Sequence, residues 1–241
     1  MTRLMQTFRN LIRSLRGMLL NDDQYVLYSI RRDWDERARK NARYYVATAQ
    51  EDWTDEEFFR SGSAWVEEHV MPFVADICNQ RPLHEMRVLE IGCGAGRMTQ
   101  PLSKIFGRVD AVDVSSEMIA QARSVLHTCE NVEFHVNNGA DLSMFANDQF
   151  DFAISAIVFQ HIPKKAIVEN YIRETWRVLR PGSIFKFQVQ GCLIDEKRAD
   201  TWVGVGFSEE EMQRFAARYG FQIKASFGVG SQYYWLTFLK P

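Results

Sequence analysis

The stretch VLEIGCGAGRMT, from Val88 to Thr99, is an apolar run that ends in three closely spaced glycines. An apolar run that stops at glycines predicts a buried strand followed by a sharp turn into a helix. Open α/β sheets bind nucleotides at turns of this kind. The question is therefore which small molecule Gly92, Gly94 and Gly96 admit.

Short apolar strands alternate with helices from Met86 onward, which predicts a mostly parallel, doubly wound α/β sheet covered on both faces. The last two predicted strands are joined only by a short segment with glycines and a serine, so a hairpin should make the final strand antiparallel. The expected strands are Arg87–Ile91, Arg108–Val112, Val132–Val136, Phe152–Val158, Ile184–Val189, Gln222–Phe227 and Tyr233–Leu239. The expected helices are Arg97–Phe106, Ser116–His127, Lys165–Leu179 and Glu209–Tyr219, with Ser115 and Ser208 as N-caps.

The chain before this unit is helical and rich in charge, so we expect a helical cap over residues 1–81 and the main domain over residues 82–241. Within the cap, acids and bases spaced i,i+4 predict ion pairs along one helix. These pairs are Asp33 with Arg37, Asp35 with Arg39 and Glu36 with Lys40.

The first twenty residues contain arginines and helically spaced apolar residues but no acid before Asp22. Three interpretations remain open for this segment. It packs on the domain or on a second subunit of a homo-oligomer, it lies on a membrane surface, or it is an organelle transit peptide. The scattered arginines exclude a secretory signal.

Composition and residue spacing exclude several classes of protein and of site. The net charge of -2 argues against a general binder of nucleic acid. No apolar run approaches the roughly 18 residues of a membrane span. The four cysteines form no CxxC pair, so we expect reduced thiols and a cytoplasmic protein. His127, Cys129 and His135 lie close together, but no second ligand pair follows and we predict no metal site.

Two acidic residues indicate the chemical groups of the expected ligand. Glu90 ends the apolar strand two residues before the first glycine, where its charge would repel a pyrophosphate. Asp113 ends the next strand, 113 − 92 = 21 residues beyond Gly92, where a carboxylate accepts hydrogen bonds from ribose hydroxyls. A nucleoside with a cationic tail fits both acids.

These features resemble the class I S-adenosylmethionine-dependent methyltransferases of the small-molecule type, from about Met86 to Pro241. VLEIGCGAG is similar to the family's first motif, NNGADL to its adenine loop, FDFAIS to its fourth strand and RVLRPGSIFKF to its fifth-strand region. The resemblance implies a Rossmann-like fold and S-adenosylmethionine as cofactor. The implied cofactor contacts are Glu90, Gly92, Cys93, Gly94, Gly96, Arg97, Asp113, Val114, Met118, Asn138, Gly139, Ala140 and Ala156.

One residue departs from the family pattern. Asn138 stands where many members have an aspartate near the adenine amino group, although its carbonyl oxygen can still accept a hydrogen bond. For catalysis the candidate is His161, after the fourth strand, where a histidine can accept a proton at neutral pH. A packing role for His161 stays open. Gln160 and Gln190 either orient a polar substrate or bind loop backbone.

The chain lacks the NPPY-like or DPPY-like segment expected for methylation of nucleic-acid bases, so we expect a small-molecule substrate and no nucleic acid. The loop over residues 191–207, together with Tyr44, Tyr45, Trp53 and Phe58–Gly62, is expected to enclose it by analogy with the family. The predicted function is methyl transfer to an O or N atom of a small organic molecule. The alternatives are a catalytically silent cofactor-binding regulator, a membrane-surface methyltransferase of a lipidic substrate, and a nicotinamide oxidoreductase, which Glu90 disfavours.

Overall fold

The computed structural model describes residues 22–241, which form helices packed on both faces of a seven-stranded sheet. The strands are β1 (Arg87–Ile91), β2 (Arg108–Asp113), β3 (Val132–Val136), β4 (Phe150–Ser155), β5 (Leu179–Val189), β6 (Gln222–Phe227) and β7 (Tyr234–Leu239). Their order is β3-β2-β1-β4-β5-β7-β6. Only β7 runs antiparallel to its neighbours, which confirms the predicted fold class and hairpin.

The helices of the described residues fall into two groups, before and within the sheet region. The first group comprises α1 (Asp22–Val46), α2 (Asp55–His69) and α3 (Val74–Cys78). The second comprises α4 (Thr99–Ile105), α5 (Ser116–Val125), α6 (Lys165–Val178) and α7 (Glu209–Tyr219). Short 3-10 turns cover Met71–Phe73, Leu83–Glu85 and Phe159–His161. Ser115 and Ser208 are N-caps as predicted, each accepting a backbone N–H bond in the following turn.

Every residue of the central strand β4 is buried, because helices cover both faces of the sheet and leave no solvent-facing side. One core contains Phe159, Phe185 and Phe187. The other contains Val88 and Phe152. The continuous apolar character of FDFAIS thus reflects burial on two sides.

Several predicted boundaries differ from the structure by one to five residues, and three of them lie near the site or in the central strands. β4 ends at Ser155 rather than Val158, because Ile157 adopts a left-handed backbone with φ 59° and the chain turns into the 3-10 helix Phe159–His161. The helix expected from Arg97 begins at Thr99, after the glycine turn. β5 begins at Leu179 and takes the residues assigned to the end of the preceding helix.

Two of the ion pairs predicted along α1, Asp33 with Arg37 and Asp35 with Arg39, are replaced by contacts to residues outside the helix. Asp35 Oδ1 accepts a hydrogen bond from Ser115 Oγ at 2.7 Å, and Arg39 donates to Glu117 at 2.8 Å. Arg37 donates to the backbone oxygen of Thr201 at 2.9 Å. The i,i+4 spacing allows the predicted pairs, but in the folded chain Asp35, Arg37 and Arg39 bind partners outside α1.

Helix α1 belongs to both cores: Ile30 lies in one, and Ala38 and Ala42 lie in the other. It therefore packs on the sheet domain along its length. The amphipathic segment of residues 1–20 lies outside the described residues. Among residues 22–241, none of the helices is long and apolar enough to cross a membrane.

Candidate cofactor and substrate site

A cavity that is partly open to solvent lies at the carboxyl ends of β1, β2 and β4 and is covered by α1. Sequence reasoning named eleven residues that lie on its wall: Glu90, Gly92, Cys93, Gly94, Arg97, Asp113, Val114, Met118, Gly139, Ala156 and His161. Three others that it named, Gly96, Asn138 and Ala140, do not line the cavity. The wall also contains residues that the sequence did not single out, among them Ile30, Trp34 and Asn137.

The glycine turn between β1 and α4 is closely packed by its neighbours, so side chains at its glycines would clash with them. Gly92 has φ 78°, and a Cβ atom there would lie 2.3 Å from Val158 Cγ2. At Gly94 a Cβ would lie 2.6 Å from Val46 Cγ2. Gly62 of α2 approaches the same turn from outside, where a Cβ would lie 1.9 Å from the backbone oxygen of Arg97. The cap thus packs directly on the turn.

Glu90 is fully buried at the cavity wall with one oxygen unused. Its Oε2 accepts a hydrogen bond from Thr99 Oγ1 at 2.6 Å, whereas Oε1 has no partner among the described residues. Burial raises the pKa of Glu90 to about 7. A buried acceptor without a donor is unfavourable, so the arrangement favours a ligand that brings a donor or a positive charge.

Asp113, at the end of β2, is held by backbone donors on two sides. Oδ2 accepts from Gly94 N at 2.9 Å, and Oδ1 accepts from Ser115 N at 2.8 Å. Burial raises its pKa to about 6, and these hydrogen bonds oppose the shift. A carboxylate has about four lone-pair sites, so each oxygen keeps one for a ligand hydroxyl.

In the loop after β3, Asn137 lies on the cavity wall, whereas Asn138, the residue predicted near the adenine, does not. Asn138 Oδ1 accepts from the backbone N–H groups of Ala140 and Asp141, and the residue is exposed. Asn137 is buried on the cavity wall, where Oδ1 accepts from Gly139 N at 3.0 Å and Nδ2 donates to Tyr171 Oη at 2.8 Å. Its position directly after β3, beside Asp113, is the sequence signal that could have identified it.

Aromatic rings of α1 line another part of the cavity wall. Trp34 and Tyr45 of α1 lie on the wall, and the Trp202 ring lies 6.4 Å from Trp34 and 5.7 Å from Tyr45. The Arg37 guanidinium lies 4.7 Å from the Trp34 ring and 5.2 Å from the Trp202 ring. Such a wall offers apolar, flat surface to an acceptor molecule.

His161 lies between these rings and the sheet. Its ring is 5.2 Å from both Trp34 and Trp202, and Nδ1 lies 2.5 Å from the Trp202 backbone oxygen. A carbonyl can only accept, so Nδ1 carries the proton and Nε2 is the acceptor, 3.2 Å from Gln160 Nε2. Burial lowers the pKa of His161 to about 4. The ring is therefore neutral at pH 7 and presents an acceptor nitrogen.

The loop over residues 191–207 is tied to α1. Arg37 Nη2 donates to Thr201 Oγ1 at 3.0 Å, and this hydroxyl donates to Asp33 Oδ2 at 2.7 Å. Of the other residues expected to enclose a substrate, Tyr44 packs edge-on against Tyr45 and Trp53 donates to the Ala47 backbone oxygen.

Gln160 and Gln190 accept hydrogen bonds from neighbouring residues at this edge of the sheet. Gln160 Oε1 accepts from Gln188 Nε2 at 3.0 Å, which orients the amide that faces His161. Gln190 Oε1 accepts from Cys192 N at 3.2 Å, the loop-backbone interpretation.

A separate cluster on the far side of the sheet places ligand atoms of Asp110, Glu133 and His135 within 4.8 Å of one another. Arg87 donates to both oxygens of Asp110, at 2.7 and 2.8 Å, and Arg108 pairs with Glu133. Although burial raises the pKa of Asp110, hydrogen bonds from His135 and Arg87 lower it overall. The arginines supply the balancing charge, so the cluster is an ion-pair network.

Comparison with known proteins agrees with this geometry. A family model described as a methyltransferase domain matches residues 88–182, which include the glycine turn and Asp113. Residues 88–182 therefore carry a methyltransferase domain. The chain is 30% identical over 99 residues to a ubiquinone biosynthesis O-methyltransferase of Xanthomonas oryzae pv. oryzae, covering 40% of this chain and 39% of that protein. The matched part thus spans about two fifths of the curated relative.

Solved structures share the fold of this chain. Phosphoethanolamine N-methyltransferase 1 of Haemonchus contortus, solved with phosphoethanolamine and S-adenosylhomocysteine, has a TM-score of 0.66 at 17% identity and covers 92% of this chain and 50% of its own. A SAM-dependent methyltransferase of Aquifex aeolicus has a TM-score of 0.52 at 21% identity and covers 74% of this chain and 98% of its own. The predicted fold class is confirmed, and the methyltransferase domain over residues 88–182 supports the predicted family and its cofactor.

The residues present fit S-adenosylmethionine. The free Oε1 of Glu90 and the side-chain-free glycine turn suit the aminoacyl portion, and Asp113 keeps lone pairs for the ribose hydroxyls. Arg97 also lies on the wall with Nε unpaired among the described residues, and burial lowers its pKa. A buried guanidinium beside the turn suits a carboxylate.

Proposed function

We propose that the protein transfers a methyl group from S-adenosylmethionine to an O or N atom of a small organic molecule, a hydroxyl being the better fit. The observation that carries this proposal is that one cavity is lined both by the buried acids and glycines and by the aromatic residues around His161. The named O-methyltransferase relatives support the choice of oxygen.

Residues in different parts of the cavity have different roles in the proposed reaction. Bound S-adenosylmethionine supplies an electrophilic methyl group on a sulfonium. Glu90 and Asp113 hold the cofactor, while Trp34 and Tyr45 orient the acceptor against it. Nε2 of His161 accepts the hydroxyl proton as a hydrogen bond or takes it up, in place of the Gln160 amide. Positioning of this kind can supply roughly 7–11 kcal/mol.

The division into a cap of residues 1–81 and a catalytic domain of residues 82–241 is part of this proposal, supported by α1 and α2 on the cavity side. A cytoplasmic location is supported by Cys78, Cys93, Cys129 and Cys192, all free thiols in the structure. Contact of residues 1–20 with a membrane, or self-association through them, also belongs to the proposal.

Calorimetric titration with S-adenosylmethionine, followed by a methyl-transfer screen of small hydroxy and amino compounds, tests the proposal. We expect binding of the cofactor and turnover of at least one apolar hydroxy compound. Asp113→Ala should weaken binding by about tenfold or more, since a charge-assisted hydrogen bond contributes roughly 1.5–3 kcal/mol. Glu130→Gln, on the surface, is the matched control.

Two results would reject parts of the proposal. Binding without turnover of any compound would favour a catalytically silent regulator. Unchanged binding by Asp113→Ala would remove Asp113 from the cofactor site.

A further inference from the structure

Tyr171 of α6 carries a buried hydroxyl group to which the proposed reaction gives no role. The residue is only 4% exposed and lies on the cavity wall. Its ring packs against the fully buried ring of Phe159, with the two centroids 5.5 Å apart. Its Oη lies 2.8 Å from Nδ2 of Asn137, which is itself a residue of the wall. The hydroxyl end of Tyr171 therefore lies at the cavity.

The proton of this hydroxyl has no acceptor among residues 22–241. Asn137 Oδ1 accepts a hydrogen bond from Gly139 N at 3.0 Å, which fixes the amide so that Nδ2 donates to Tyr171 Oη. The hydroxyl thus accepts one hydrogen bond and makes no other contact through which it could donate. Burial raises the pKa of Tyr171, and the negative charge of Asp113 raises it further, so the group keeps its proton at pH 7. A buried donor without an acceptor is unfavourable, and a ligand with an acceptor atom would satisfy it.

The order of the strands indicates which part of the ligand lies beside this hydroxyl. Glu90 of β1, Asp113 of β2 and Asn137 directly after β3 all lie on the cavity wall. These strands are parallel neighbours in the order β3-β2-β1, and Asn137 N donates to the Asp113 backbone oxygen at 2.9 Å. The three residues therefore form a row along the strand ends. With the aminoacyl portion of S-adenosylmethionine at Glu90 and the ribose at Asp113, the next portion along the row is the adenine base.

We infer that Tyr171 Oη donates a hydrogen bond to a ring nitrogen of adenine and is a determinant of affinity for the nucleoside. The adenine nitrogens N1, N3 and N7 carry lone pairs and no hydrogen, so each is a suitable acceptor. Asn137 then holds the hydroxyl in place rather than contacting the base through Nδ2. This inference rests on the cofactor proposed above and adds to it a residue that recognises the base.

The test is calorimetric titration of the full chain with S-adenosylhomocysteine and with its three analogues in which a C–H group replaces N1, N3 or N7. At least one analogue should bind about tenfold or more weakly than S-adenosylhomocysteine, because the buried O–H group then has no acceptor. The measurement reports binding alone and needs no methyl acceptor.

Tyr171→Phe separates contact with the base from a structural role. The variant keeps the ring and lacks the donor, so it should bind S-adenosylhomocysteine and the weakened analogue with about equal affinity. A tyrosine that only positions Asn137 would weaken both ligands alike and leave their ratio as in the wild type. Tyr219→Phe is the matched control, since it removes a hydroxyl that donates to Glu169 at 2.9 Å on α7, away from the cavity wall. It should change neither the affinity nor the ratio.

A second variant tests the same hydrogen bond without removing the tyrosine. Asn137→Asp replaces the amide donor with a carboxylate oxygen, which accepts the proton of Tyr171 and withdraws it from the base. The discrimination between S-adenosylhomocysteine and the weakened analogue should therefore fall in this variant too. Circular dichroism and thermal unfolding check that each variant is folded before the titration.

Two outcomes would overturn the inference. The wild type binds all three analogues as tightly as S-adenosylhomocysteine, or Tyr171→Phe discriminates among them as strongly as the wild type does. Both outcomes leave the cofactor assignment intact, because S-adenosylhomocysteine still binds. Failure of the wild type to bind S-adenosylhomocysteine or S-adenosylmethionine would instead reject the cofactor proposal, and the role of Tyr171 with it.

Discussion

At the scale of single residues, Glu90 couples cofactor binding to pH. Its pKa of about 7 means that the cofactor-free protein holds a proton there below neutrality. A cationic ligand favours the ionised form, so affinity for S-adenosylmethionine should rise between about pH 6 and pH 8 and then level off. Calorimetry across this range measures the effect, and Glu90→Gln should flatten this rise. An identical pH profile in that variant would refute the assignment.

The raised pKa of Glu90 also predicts how the stability of the folded protein changes with pH. The folded pKa of Glu90 is raised from 4.5 to about 7, so between these values the folded state binds more protons than the unfolded state. Without cofactor, this group's contribution to stability is therefore present below pH 4.5 and is lost as pH rises to about 7, by about 3 kcal/mol. Glu90→Gln should remove this part of the pH dependence in chemical denaturation. A variant whose stability falls as steeply as that of the wild type would contradict it.

His161 can be separated from its structural surroundings by two substitutions. His161→Asn keeps a donor for the Trp202 carbonyl but loses the acceptor at Nε2, so we expect turnover to fall by roughly 10²-fold or more with little change in cofactor affinity. His161→Ala removes both atoms and should also loosen the loop. Because its pKa is about 4, His161 should contribute no pH dependence to the rate between about pH 6 and pH 8. Equal losses of turnover and affinity would assign a packing role.

At the scale of elements, helix α2 shapes the cofactor turn from outside. Any side chain at position 62 meets the Arg97 backbone oxygen, at 1.9 Å for a Cβ. Gly62→Ala should therefore destabilise the protein by roughly 1–3 kcal/mol and weaken cofactor binding, because either the helix or the turn must move. Thermal unfolding and calorimetry measure both effects. Ser63→Ala, one residue away, should cost far less, and equal effects of the two substitutions would reject the close approach.

Strand β4 shows why the ends of a strand or helix are harder to predict from the sequence than its presence. The run FDFAISAIVF is apolar apart from Asp151 and Ser155, and apolar residues continue beyond Ser155, so its pattern does not mark the end of the strand there. The left-handed backbone at Ile157 is a conformation that this residue type rarely adopts by itself. Its surroundings impose it, and the resulting turn brings Val158 against Gly92 and His161 into the cavity.

At the scale of the whole molecule, the cavity joins α1, the glycine turn and the ends of β2 and β3. A ligand there contacts all of these parts and binds only the folded state. S-adenosylmethionine at about 100 times its Kd should stabilise the protein by about 2.7 kcal/mol, which corresponds to a rise in Tm of roughly 5–10 °C. Differential scanning calorimetry measures the shift, with ATP as the control ligand. No shift, or an equal shift with ATP, would contradict the assigned cofactor.

The sequence by itself determined the α/β class and the hairpin, and it indicated a methyltransferase domain and its cofactor. These follow from local signals: apolar runs, glycines at a turn, and acids at Glu90 and Asp113 that lie at strand ends. Short-range backbone preferences and chain order are enough to specify such features, because they do not depend on which distant segments meet.

Only the tertiary structure decided the partners of side chains across the molecule. It places Asn137 rather than Asn138 on the cavity wall, pairs Asp35 with Ser115 by a hydrogen bond, and places Trp34 beside His161. Adjacent asparagines have the same local signal, and a charge on α1 has several chemically equivalent partners. Packing of α1 against the sheet selects among them, because each contact is set by the relative position of elements far apart in the chain.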